Sequence, residues 1–500
     1  MPIRVPGFRG RLSQDPSDLH TVSRSTGPVS MTPWAVAVPD DLKDVEALVR
    51  HASGEGWHLI PRGAATGMPG GNVGRGVVVD LTQGFGQLDP VDHERNTLRV
   101  GAGVVLARAI AAAREYRLDF PPAPSSSDRC SVGGVAANNA AGARSFRHGS
   151  ARPWIGGVEA VLADGRVLEI GGEPTEAFDA LHRTLQADRD WALGWPRVSK
   201  NSSGYALADF ARSGRPADIL VGSEGTLGIL TGVELRLRPR PDTRAVAVLA
   251  LPTLDALVQA TDLAHRVEAS ACEFLGKSLL EIGRLGDDPW VGDLARDAWG
   301  LAIVECEGPK DIVSAGIDQL TREARGLGLP IRSAENAEDT EGLWGVRHRA
   351  SPTIAEHAGR ERASMQFIED SVVPPQRLPD YLSGLAGILT EARLEAVVFG
   401  HAGDGNVHVN PLVPLGAPDW RDRVRDTLHG VTTLVATLGG TLSGEHGDGR
   451  IRAPMLERIW SPAAVDAFRT AKAALDPAGV FNPGVILPLP GQDPLEGLGC

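Results

Sequence analysis

The stretch PRGAATGMPGGNVGRGVVVDL, residues 61–81, decides the fold that this chain is expected to adopt. An apolar run at 57–60 leads into it, five glycines occur in the twelve residues after Arg62, and Val77–Val79 resumes a strand-like pattern. Glycine has no Cβ and tolerates positive φ, so a ligand can approach such a backbone, and successive N–H groups can bind an anion. The pattern predicts two strands joined by a diphosphate-binding loop. An ordinary glycine-rich hairpin is the alternative.

The two common nucleotide-binding loops do not fit residues 61–81. No Gly-Lys-Ser or Gly-Lys-Thr follows the glycines, which excludes a Walker-type ATP site. A strand rather than a helix is predicted next, which argues against a Rossmann turn, where the diphosphate sits at a helix N-terminus.

The composition is typical of a large, acidic globular protein. Its 500 residues are too many for one core, so two or three domains are expected. A net charge of −13 argues against a nucleic-acid partner, because counter-ion release needs a basic surface. The four cysteines are far apart, which indicates free thiols and no iron–sulfur ligation in this chain. With no apolar run of ~20 residues and no secretory signal, we expect a cytoplasmic protein, or one peripheral to the inner face of a membrane.

Further segments rich in small residues follow the first loop. Residues 120–149 begin with three prolines, and their core at 131–142 is almost entirely Gly, Ala, Ser and Asn. We expect this core to line a long, flat ligand, the alternative being a flexible loop. KNSSGYAL at 200–207 and LVGSEGTLGILTGVELRL at 220–237 add glycine-rich contacts with strands expected on both sides.

These segments, in this order and at these distances, resemble the FAD-linked oxidase family, which includes D-lactate dehydrogenases, glycolate oxidase flavoprotein subunits and D-2-hydroxyglutarate dehydrogenases. The resemblance covers residues 33–488. It implies an α+β fold, in which a two-part FAD-binding domain of the vanillyl-alcohol-oxidase or PCMH type is joined to an α/β, ferredoxin-like substrate domain. The alternating strands and helices after residue 241 agree with such a second domain.

The resemblance also implies where FAD binds. Residues 62–72 would wrap the diphosphate, 124–126 and 133–142 would flank the ribityl and isoalloxazine portions, and 224–229 would close the adenine side. No His stands in the first loop, so we expect non-covalent FAD. The implied FAD-binding residues are Arg62, Gly63, Ala64, Ala65, Thr66, Gly67, Gly70, Gly71, Pro124, Ser125, Ser126, Gly133, Gly134, Ala137, Asn139, Gly142, Glu224, Gly228, Ile229 and Asn482.

The expected domain boundaries follow the change of pattern at the RPRP stretch that ends at Pro241. The divisions are an FAD-binding domain at 1–241 with an irregular arm at 1–30, a substrate domain at 242–470 that contains a strand at 365–368, a segment at 471–488 that returns to the FAD-binding domain, and a disordered tail at 489–500.

The stretch VFGHAGDGNVHVNPL, residues 398–412, carries the strongest chemical signal after the glycine-rich loops. His401 ends one predicted strand, a turn follows, and the period of two places His408 and Asn410 on one face of the next strand. Downstream, Glu445 and His446 stand in a glycine-rich loop. Two His and one carboxylate with open coordination positions are typical of a catalytic divalent-metal site. Unrelated surface or core histidines are the alternative.

The order GHxGDGNxH followed by GEHG matches the metal-binding segments of the 2-hydroxy-acid dehydrogenases in that family. The resemblance implies His401, His408 and Glu445 as ligands of a divalent metal, with zinc the first choice, and His446 as the general base. A 2-hydroxy acid that chelates the ion would have its hydroxyl acidified. His446 would take that proton while the Cα hydrogen leaves as hydride to flavin N5, giving the 2-oxo acid.

A positively charged side chain that binds the substrate carboxylate is expected in the stretch WGVRHRAS at 344–351. Arg347 corresponds to the substrate-binding Arg of the family and Ser351 lies one helical turn on, with Asn410 as a further substrate contact; a solvated helix face is the alternative. Relatives that act on D-2-hydroxyglutarate have a Lys just before the Asp-containing strand that leads to the next helix, and Ile368 stands near that place here. This difference favours D-lactate or another short acid, although Arg360 or Arg362 can compensate.

The expected function is therefore oxidation of a D-2-hydroxy acid by an FAD-dependent dehydrogenase. Its electron acceptor would be a quinone, a cytochrome, an electron-transfer flavoprotein or a separate iron–sulfur subunit, and a homodimer is open. The rival functions are a D-2-hydroxyglutarate dehydrogenase and a glycolate-oxidase-type flavoprotein subunit that is inactive outside a multi-chain electron-transfer complex.

Overall fold

A computed structural model describes residues 3–334 and 336–499. The strands of its first half are β1 (Arg11–Ser13), β2 (Ala35–Val38), β3 (Leu59–Arg62), β4 (Val77–Asp80), β5 (Thr97–Gly101), β6 (Leu118–Asp119), β7 (Ile155–Val161), β8 (Val167–Leu168), β9 (Ile229–Arg236) and β10 (Arg238–Pro239). The helices of this half are α1 (Pro16–Val22), α2 (Leu42–Glu55), α3 (Leu106–Glu115), α4 (Val132–Ala137), α5 (Ser145–His148), α6 (Glu176–Ala187), α7 (Leu207–Ser213) and α8 (Pro216–Leu220).

The second half begins with a long strand. Its strands are β11 (Thr243–Leu251), β12 (Ala271–Gly276), β13 (Gly300–Gly308), β14 (Ile331–Ser333), β15 (Ala363–Ser364), β16 (Ser371–Val372), β17 (Glu395–His401) and β18 (Asn406–Val413). Its helices are α9 (Leu254–Arg266), α10 (Lys277–Ile282), α11 (Gly292–Ala295), α12 (Lys310–Gly326), α13 (Ala337–His348), α14 (Ala350–Ala358), α15 (Leu378–Glu391), α16 (Trp420–Thr437), α17 (Gly449–Arg452), α18 (Leu456–Ile459) and α19 (Pro462–Leu475).

The glycine-rich loop joins β3 to β4, which pair in parallel with Arg62 opposite Asp80. The strand after the loop is confirmed, and the alternative of an ordinary hairpin is wrong, because a hairpin would make the two strands antiparallel. Both strands belong to a four-stranded sheet in the order β1-β2-β4-β3. The other four-stranded sheet of this half, β5-β9-β7-β8, is antiparallel and includes the hairpin of β7 and β8.

The second half is built on one large antiparallel sheet. Its order is β14-β11-β13-β12-β17-β18-β15, with β16 also paired to β18. Separate apolar clusters cover its two faces, one formed largely with α9, α12, α15 and α16 and the other with α10, α13 and α14. The predicted hairpin of β17 and β18 lies within this sheet, with Phe399 opposite His408.

Several local expectations are wrong. The alternative of a flexible loop at 131–142 is wrong, because this core contains a helix, α4, which Ser131 caps by accepting a hydrogen bond from the Gly134 N–H. A helix, α8, and not a strand precedes the GSEGTLG segment. No strand lies at 365–368, where one was expected; the nearest strand, β15, ends at Ser364. The arm at 1–30, expected to be irregular, contains β1 and α1.

The tail expected to be disordered is packed as far as the structure describes it. Leu495 and Leu498 are buried, and Leu498 forms a backbone bridge with Val29. Two leucines three residues apart bury enough apolar surface to hold this short segment against the protein. Cys500 lies outside the described residues, whereas Cys130, Cys272 and Cys306 are buried free thiols, as predicted. Within the described ranges, no helix is both long and apolar enough to cross a membrane.

Candidate active site

One cavity connects the first glycine-rich loop with the histidine-containing loop near the C-terminus. Of the predicted FAD-binding residues, the cavity is lined by Arg62, Gly63, Ala64, Ala65, Thr66, Gly67, Gly71, Gly133, Gly134, Ala137 and Glu224. His446 lines the same cavity. The other predicted FAD-binding residues are not among those that line it: Gly70, Pro124, Ser125, Ser126, Asn139, Gly142, Gly228, Ile229 and Asn482.

The first loop and helix α4 approach each other too closely for an additional side chain. A Cβ built on Gly63 would lie 2.1 Å from the Ser131 Oγ, and one on Gly133 would lie 2.7 Å from the Ala102 Cβ. A side chain at position 133 would meet the Ala102 backbone, and one at position 63 would displace the Ser131 hydroxyl that caps α4, while both glycines line the cavity. Such a cradle of small residues fits a long cofactor that contacts the protein through backbone groups.

Arg62 has a different role from the one that its position in the loop suggests. Its guanidinium donates to the carbonyl oxygens of Val22, Arg24 and Asn72 at 2.9–3.2 Å. Burial lowers the pKa of Arg62, and the nearby Asp80 only partly opposes this effect. The side chain ties the N-terminal arm to the glycine-rich loop, so it supports the shape of the cradle.

Glu224 and Asn482 join the cradle to the histidine-containing loop. The Glu224 carboxylate accepts from the backbone N–H groups of Asp448 at 2.6 Å and Gly449 at 2.9 Å. Asn482 donates to the carbonyl oxygens of Gly71 and Glu224 at 2.7 and 2.9 Å. These bonds fix the loop that carries His446 against the cavity.

Three imidazoles meet at one carboxylate oxygen. The Nε2 atoms of His401, His408 and His446 each lie 3.4 Å from Oε1 of Glu445. The hairpin of β17 and β18 provides the first two histidines, and the loop after α16 provides Glu445 and His446. The predicted metal ligands and the predicted base are therefore brought together at one point.

The opposite edge of each imidazole is held by an oxygen. His401 Nδ1 lies 2.5 Å from Oε1 of Glu273, His408 Nδ1 lies 2.9 Å from the Glu369 carbonyl oxygen, and His446 Nδ1 lies 3.1 Å from Glu369 Oε1. A carbonyl or a carboxylate can only accept, so each Nδ1 carries the hydrogen. When such a ring is neutral, the lone pair of its Nε2 points towards Glu445.

This donor set fits a divalent cation. Nitrogen lone pairs and a carboxylate oxygen that converge without a hydrogen between them repel one another unless a cation lies among them. His401, His408 and Glu445 supply two nitrogen ligands and one oxygen ligand, which is typical of a catalytic zinc site with an open position. Asp370 is also near, but its carboxylate already accepts from the backbone N–H groups of Glu445 and His446 at 2.9 and 2.8 Å. We therefore assign Asp370 to holding the loop.

Lys200 forms an ion pair with the other oxygen of Glu445. Its ammonium lies 2.6 Å from Glu445 Oε2, and both side chains are almost completely buried. Burial alone would raise the pKa of Glu445, but Lys200 and His401 hold it well below its usual range. Glu445 is therefore ionised, with Oε1 directed to the imidazoles and Oε2 to the lysine.

His446 is the most accessible of the three imidazoles, with 29% of its side chain exposed. Burial lowers its pKa, but the carboxylates of Asp370, Glu369 and Glu445 outweigh that effect and raise the pKa to about 9. Its ring stacks on His408 with centroids 5.5 Å apart. His446 lines the cavity, and its Nε2 can accept a proton from a bound molecule once the ring is neutral, a state that a nearby cation would favour.

The predicted substrate residues are placed differently from one another. Arg347 lies over the Phe399 ring at 4.5 Å and donates from Nε to Glu273 Oε2 at 2.9 Å. Asn410 is buried on the same face of β18 as His408, and its Nδ2 has no hydrogen-bond partner among the described residues. Ser351 is exposed on α14, beyond the break that follows α13. The structure thus brings Arg347 close to the histidines and leaves Ser351 at the surface.

Four charged residues of the site were not predicted: Lys200, Glu273, Glu369 and Asp370. Glu273 is the one charged residue of β12, whose sequence is ACEFLG, and a charge in an otherwise apolar strand is a signal that could have been used. Lys200 belongs to a glycine-rich segment that was singled out for FAD contacts alone. Nothing in their sequence spacing links these residues to His401.

The fold and the site define a flavin-dependent oxidoreductase. Residues 33–171 match the FAD binding domain model, and residues 240–486 match the model described as FAD linked oxidases, C-terminal domain. The chain is 29% identical over 480 residues to a D-lactate dehydrogenase of Archaeoglobus fulgidus, with 94% of this chain and 96% of the relative covered. It is 30% identical to a D-2-hydroxyglutarate dehydrogenase of Xanthomonas citri pv. viticola, with 96% and 94% covered.

This chain belongs to the FAD-linked oxidase family. A solved structure of 4-ethylphenol oxidase from Gulosibacter chungangensis superposes with a TM-score of 0.69 at 16% identity, covering 95% of this chain and 94% of that one. At that identity the likeness concerns the fold alone, and it confirms the expected two-part FAD-binding architecture with its mixed sheets and helices.

Proposed function

We propose that this flavoenzyme oxidises a short D-2-hydroxy acid, D-lactate in the first instance, to the 2-oxo acid with the help of a divalent metal, zinc as the first choice. The observation that carries the proposal is the meeting of three Nε2 atoms at Glu445 Oε1, 3.4 Å each, where one of the three rings, His446, also lines the cavity of the glycine-rich loop. An acid–base group and a cation site beside a flavin cradle suit the removal of a proton and a hydride from one substrate carbon and its hydroxyl.

The residues that would hold the two cofactors are distinct. The backbone of 62–72 and the small residues at 133–137 would hold FAD without a covalent bond, while His401, His408 and Glu445 would bind the cation. When bound, the flavin supplies the two-electron acceptor, and the cation supplies Lewis acidity that makes a hydroxyl easier to deprotonate.

The remaining work belongs to side chains of this chain. His446 would accept the hydroxyl proton at Nε2, and Glu369 at Nδ1 would stabilise the resulting imidazolium. The terminal nitrogens of Arg347 would bind the substrate carboxylate, since only Nε is used by Glu273. The unpartnered Nδ2 of Asn410 would donate to a substrate oxygen.

The preference for a short acid rests on Ile368. This side chain is buried in the apolar cluster that includes Phe367, two residues before Asp370. The distal carboxylate of a dicarboxylic substrate would find no cation from this position and would lose solvation. Of the two arginines that could compensate, Arg362 is paired with Glu395 at 2.6 Å, and Arg360 is exposed at the surface. Both facts support a substrate without a second charge.

The test is a screen for flavin bleaching without oxygen. The purified FAD- and zinc-loaded protein is mixed with D-lactate, L-lactate, D-2-hydroxyglutarate or glycolate, and the absorbance of oxidised flavin is followed. We expect D-lactate to bleach the flavin fastest and its L-enantiomer to be inert. Faster bleaching by D-2-hydroxyglutarate would overturn the short-acid assignment, and an unbleached flavin with every acid would overturn the proposed activity.

The same preparation tests the electron acceptor. We expect turnover with an artificial dye, because the reduced flavin must pass its electrons to a separate carrier such as a quinone, a cytochrome or another flavoprotein. A protein that binds FAD yet turns over only after a partner subunit is added would instead support the rival function of a subunit in an electron-transfer complex.

A further inference from the structure

We propose that Glu273 is a positioning residue that sets the metal ligand His401 and the carboxylate-binding Arg347 at the same time. The inference rests on the proposed function, because those two roles belong to it. It adds a direct mechanical and electrostatic link between the cation site and the substrate-carboxylate site, through one buried carboxylate.

The link consists of one carboxylate whose two oxygens bind different partners. Oε1 of Glu273 lies 2.5 Å from His401 Nδ1, and Oε2 lies 2.9 Å from Arg347 Nε. Glu273 has no exposed surface. With one oxygen assigned to each partner, the side chain cannot rotate towards one of them without releasing the other.

Three separate elements meet at this carboxylate. Glu273 lies on β12, which pairs with β17 so that Phe274 is opposite Gly400, and His401 is the next residue of β17. Arg347 comes from α13 and lies over Phe399, which is on the same face of β17 as His401. Sheet pairing fixes the histidine relative to Glu273, and the ion pair then draws the helix to the same place.

Each bond prepares its partner for a specific task. The bond to Nδ1 fixes the tautomer of His401, so its Nε2 lone pair points to Glu445. The bond to Nε uses the inner nitrogen of Arg347, and among the described residues its terminal nitrogens make no other hydrogen bond or ion pair. Those two nitrogens therefore present the flat edge that recognises a carboxylate.

The test replaces the charge while keeping the shape. In Glu273→Gln, the partner that faces the amide NH2 loses its bond, and the other partner keeps a weaker bond to an uncharged oxygen, so both His401 and Arg347 are affected. We expect the Kd for Zn²⁺, measured by calorimetric titration of the metal-stripped, FAD-loaded protein, to weaken about 10- to 100-fold. With zinc saturating, we expect KM for D-lactate to rise at least about tenfold, while the flavin content stays that of the wild type.

The chain offers a matched control on the same sheet. Glu307 is also a buried carboxylate between a histidine and an arginine, with His148 Nε2 at 2.6 Å and Arg244 Nε at 3.1 Å, but it lies among other partners. Glu307→Gln should leave the Kd for Zn²⁺ and the KM within about twofold of the wild type. Equal effects of both replacements would show general destabilisation and overturn the inference.

Two further variants separate the two arms of the link. In an Arg347→Ala background, Glu273→Gln should no longer change KM but should still weaken zinc binding, because only the histidine arm remains. Glu273→Asp keeps the charge but has a shorter side chain that cannot reach both partners, so it should partly restore either the Kd for Zn²⁺ or the KM for D-lactate, and not both. It also provides the test if Glu273→Gln does not fold.

The outcomes distinguish this inference from the proposed function. If the wild type binds zinc and oxidises D-lactate while Glu273→Gln matches it in both Kd and KM, the positioning role is refuted alone. If the wild type binds no divalent cation and bleaches with no hydroxy acid, the proposed function fails, and this inference fails with it.

Discussion

Replacement of Lys200 by methionine tests the electrostatics of the site most directly. The ammonium lies 2.6 Å from Glu445 Oε2, and the two side chains are only 2% and 7% exposed. Methionine has a similar length and fits a buried channel, so the change removes the charge with little loss of packing. Glu445 is then left as a buried carboxylate facing three imidazoles without its strongest counter-charge.

The expected loss of stability follows from the burial of both partners. Removal of one member of a buried ion pair costs about 3–5 kcal/mol, because the remaining charge is neither solvated nor paired. An exposed pair contributes about 0–1 kcal/mol. The pKa values of His401 and His446 are raised by neighbouring carboxylates, so these two rings can take protons and partly compensate Glu445. We therefore expect the free energy of unfolding of metal-free protein to fall by about 3 kcal/mol, the lower end of this range.

The assay is urea denaturation of the FAD-loaded protein with and without saturating Zn²⁺. A bound cation supplies the positive charge that Lys200 provided, so zinc should restore most of the stability of the variant, and by linkage the variant should bind zinc more tightly than the wild type. The control is Lys277→Met, which breaks an exposed Lys–Glu pair at 3.7 Å and should change stability by less than about 1 kcal/mol.

The reasoning would be refuted by a Lys200→Met protein as stable as the Lys277→Met control in the absence of metal. It would also be refuted if zinc stabilised the variant less than the wild type, because that result would mean that Lys200 helps to hold the cation rather than competing with it for Glu445.

Three other predictions concern the cradle, the base and the ion pairs. Gly63→Ala should weaken FAD binding at least about tenfold, because the new Cβ would lie 2.1 Å from the Ser131 Oγ. The control is Gly86→Ala, whose Cβ would have nothing within 4 Å and which should leave FAD binding unchanged. Fluorescence titration of the apoprotein with FAD checks this, and equal affinities of the two variants would show that close packing at Gly63 is not required. The kcat/KM for D-lactate should rise with pH as His446 loses its proton. The midpoint should lie between the ordinary histidine pKa of ~6.5 and the metal-free pKa of His446 of about 9, because a cation beside Glu445 lowers the pKa of His446. A kcat/KM that stays constant from about pH 6 to pH 9 would remove His446 as the base. The pKa of Glu307 is lowered to about 2, since its pairs with His148 and arginines outweigh burial, so its contribution to stability is complete above about 4.5 and is lost as the pH falls towards 2. Glu307→Gln should therefore show about 2 kcal/mol less acid-dependent loss of unfolding free energy than the wild type, and urea denaturation with equal loss in both proteins would contradict this.

Local patterns predicted much of the architecture because they depend on neighbours in sequence. The period of two on β18 places His408 and Asn410 on one face, and the structure agrees. The start of α2 depends on a neighbour in the same way, because the Asp41 carboxylate accepts from the Asp44 N–H. Segments of small residues were harder to interpret, because glycine and alanine are compatible both with an open loop and with the short helix α4.

The sequence by itself determined the cradle of glycines, the strands on each side of it and the three histidines with Glu445, because spacing and residue type express these features. Only the tertiary structure decided which charges meet them: Lys200 on Glu445, and Glu273 between His401 and Arg347. The physical reason is that an ion pair forms wherever packing brings two buried charges together, and Glu273 and His401 are 128 residues apart. Sheet pairing between β12 and β17 creates that contact, and no local pattern records it.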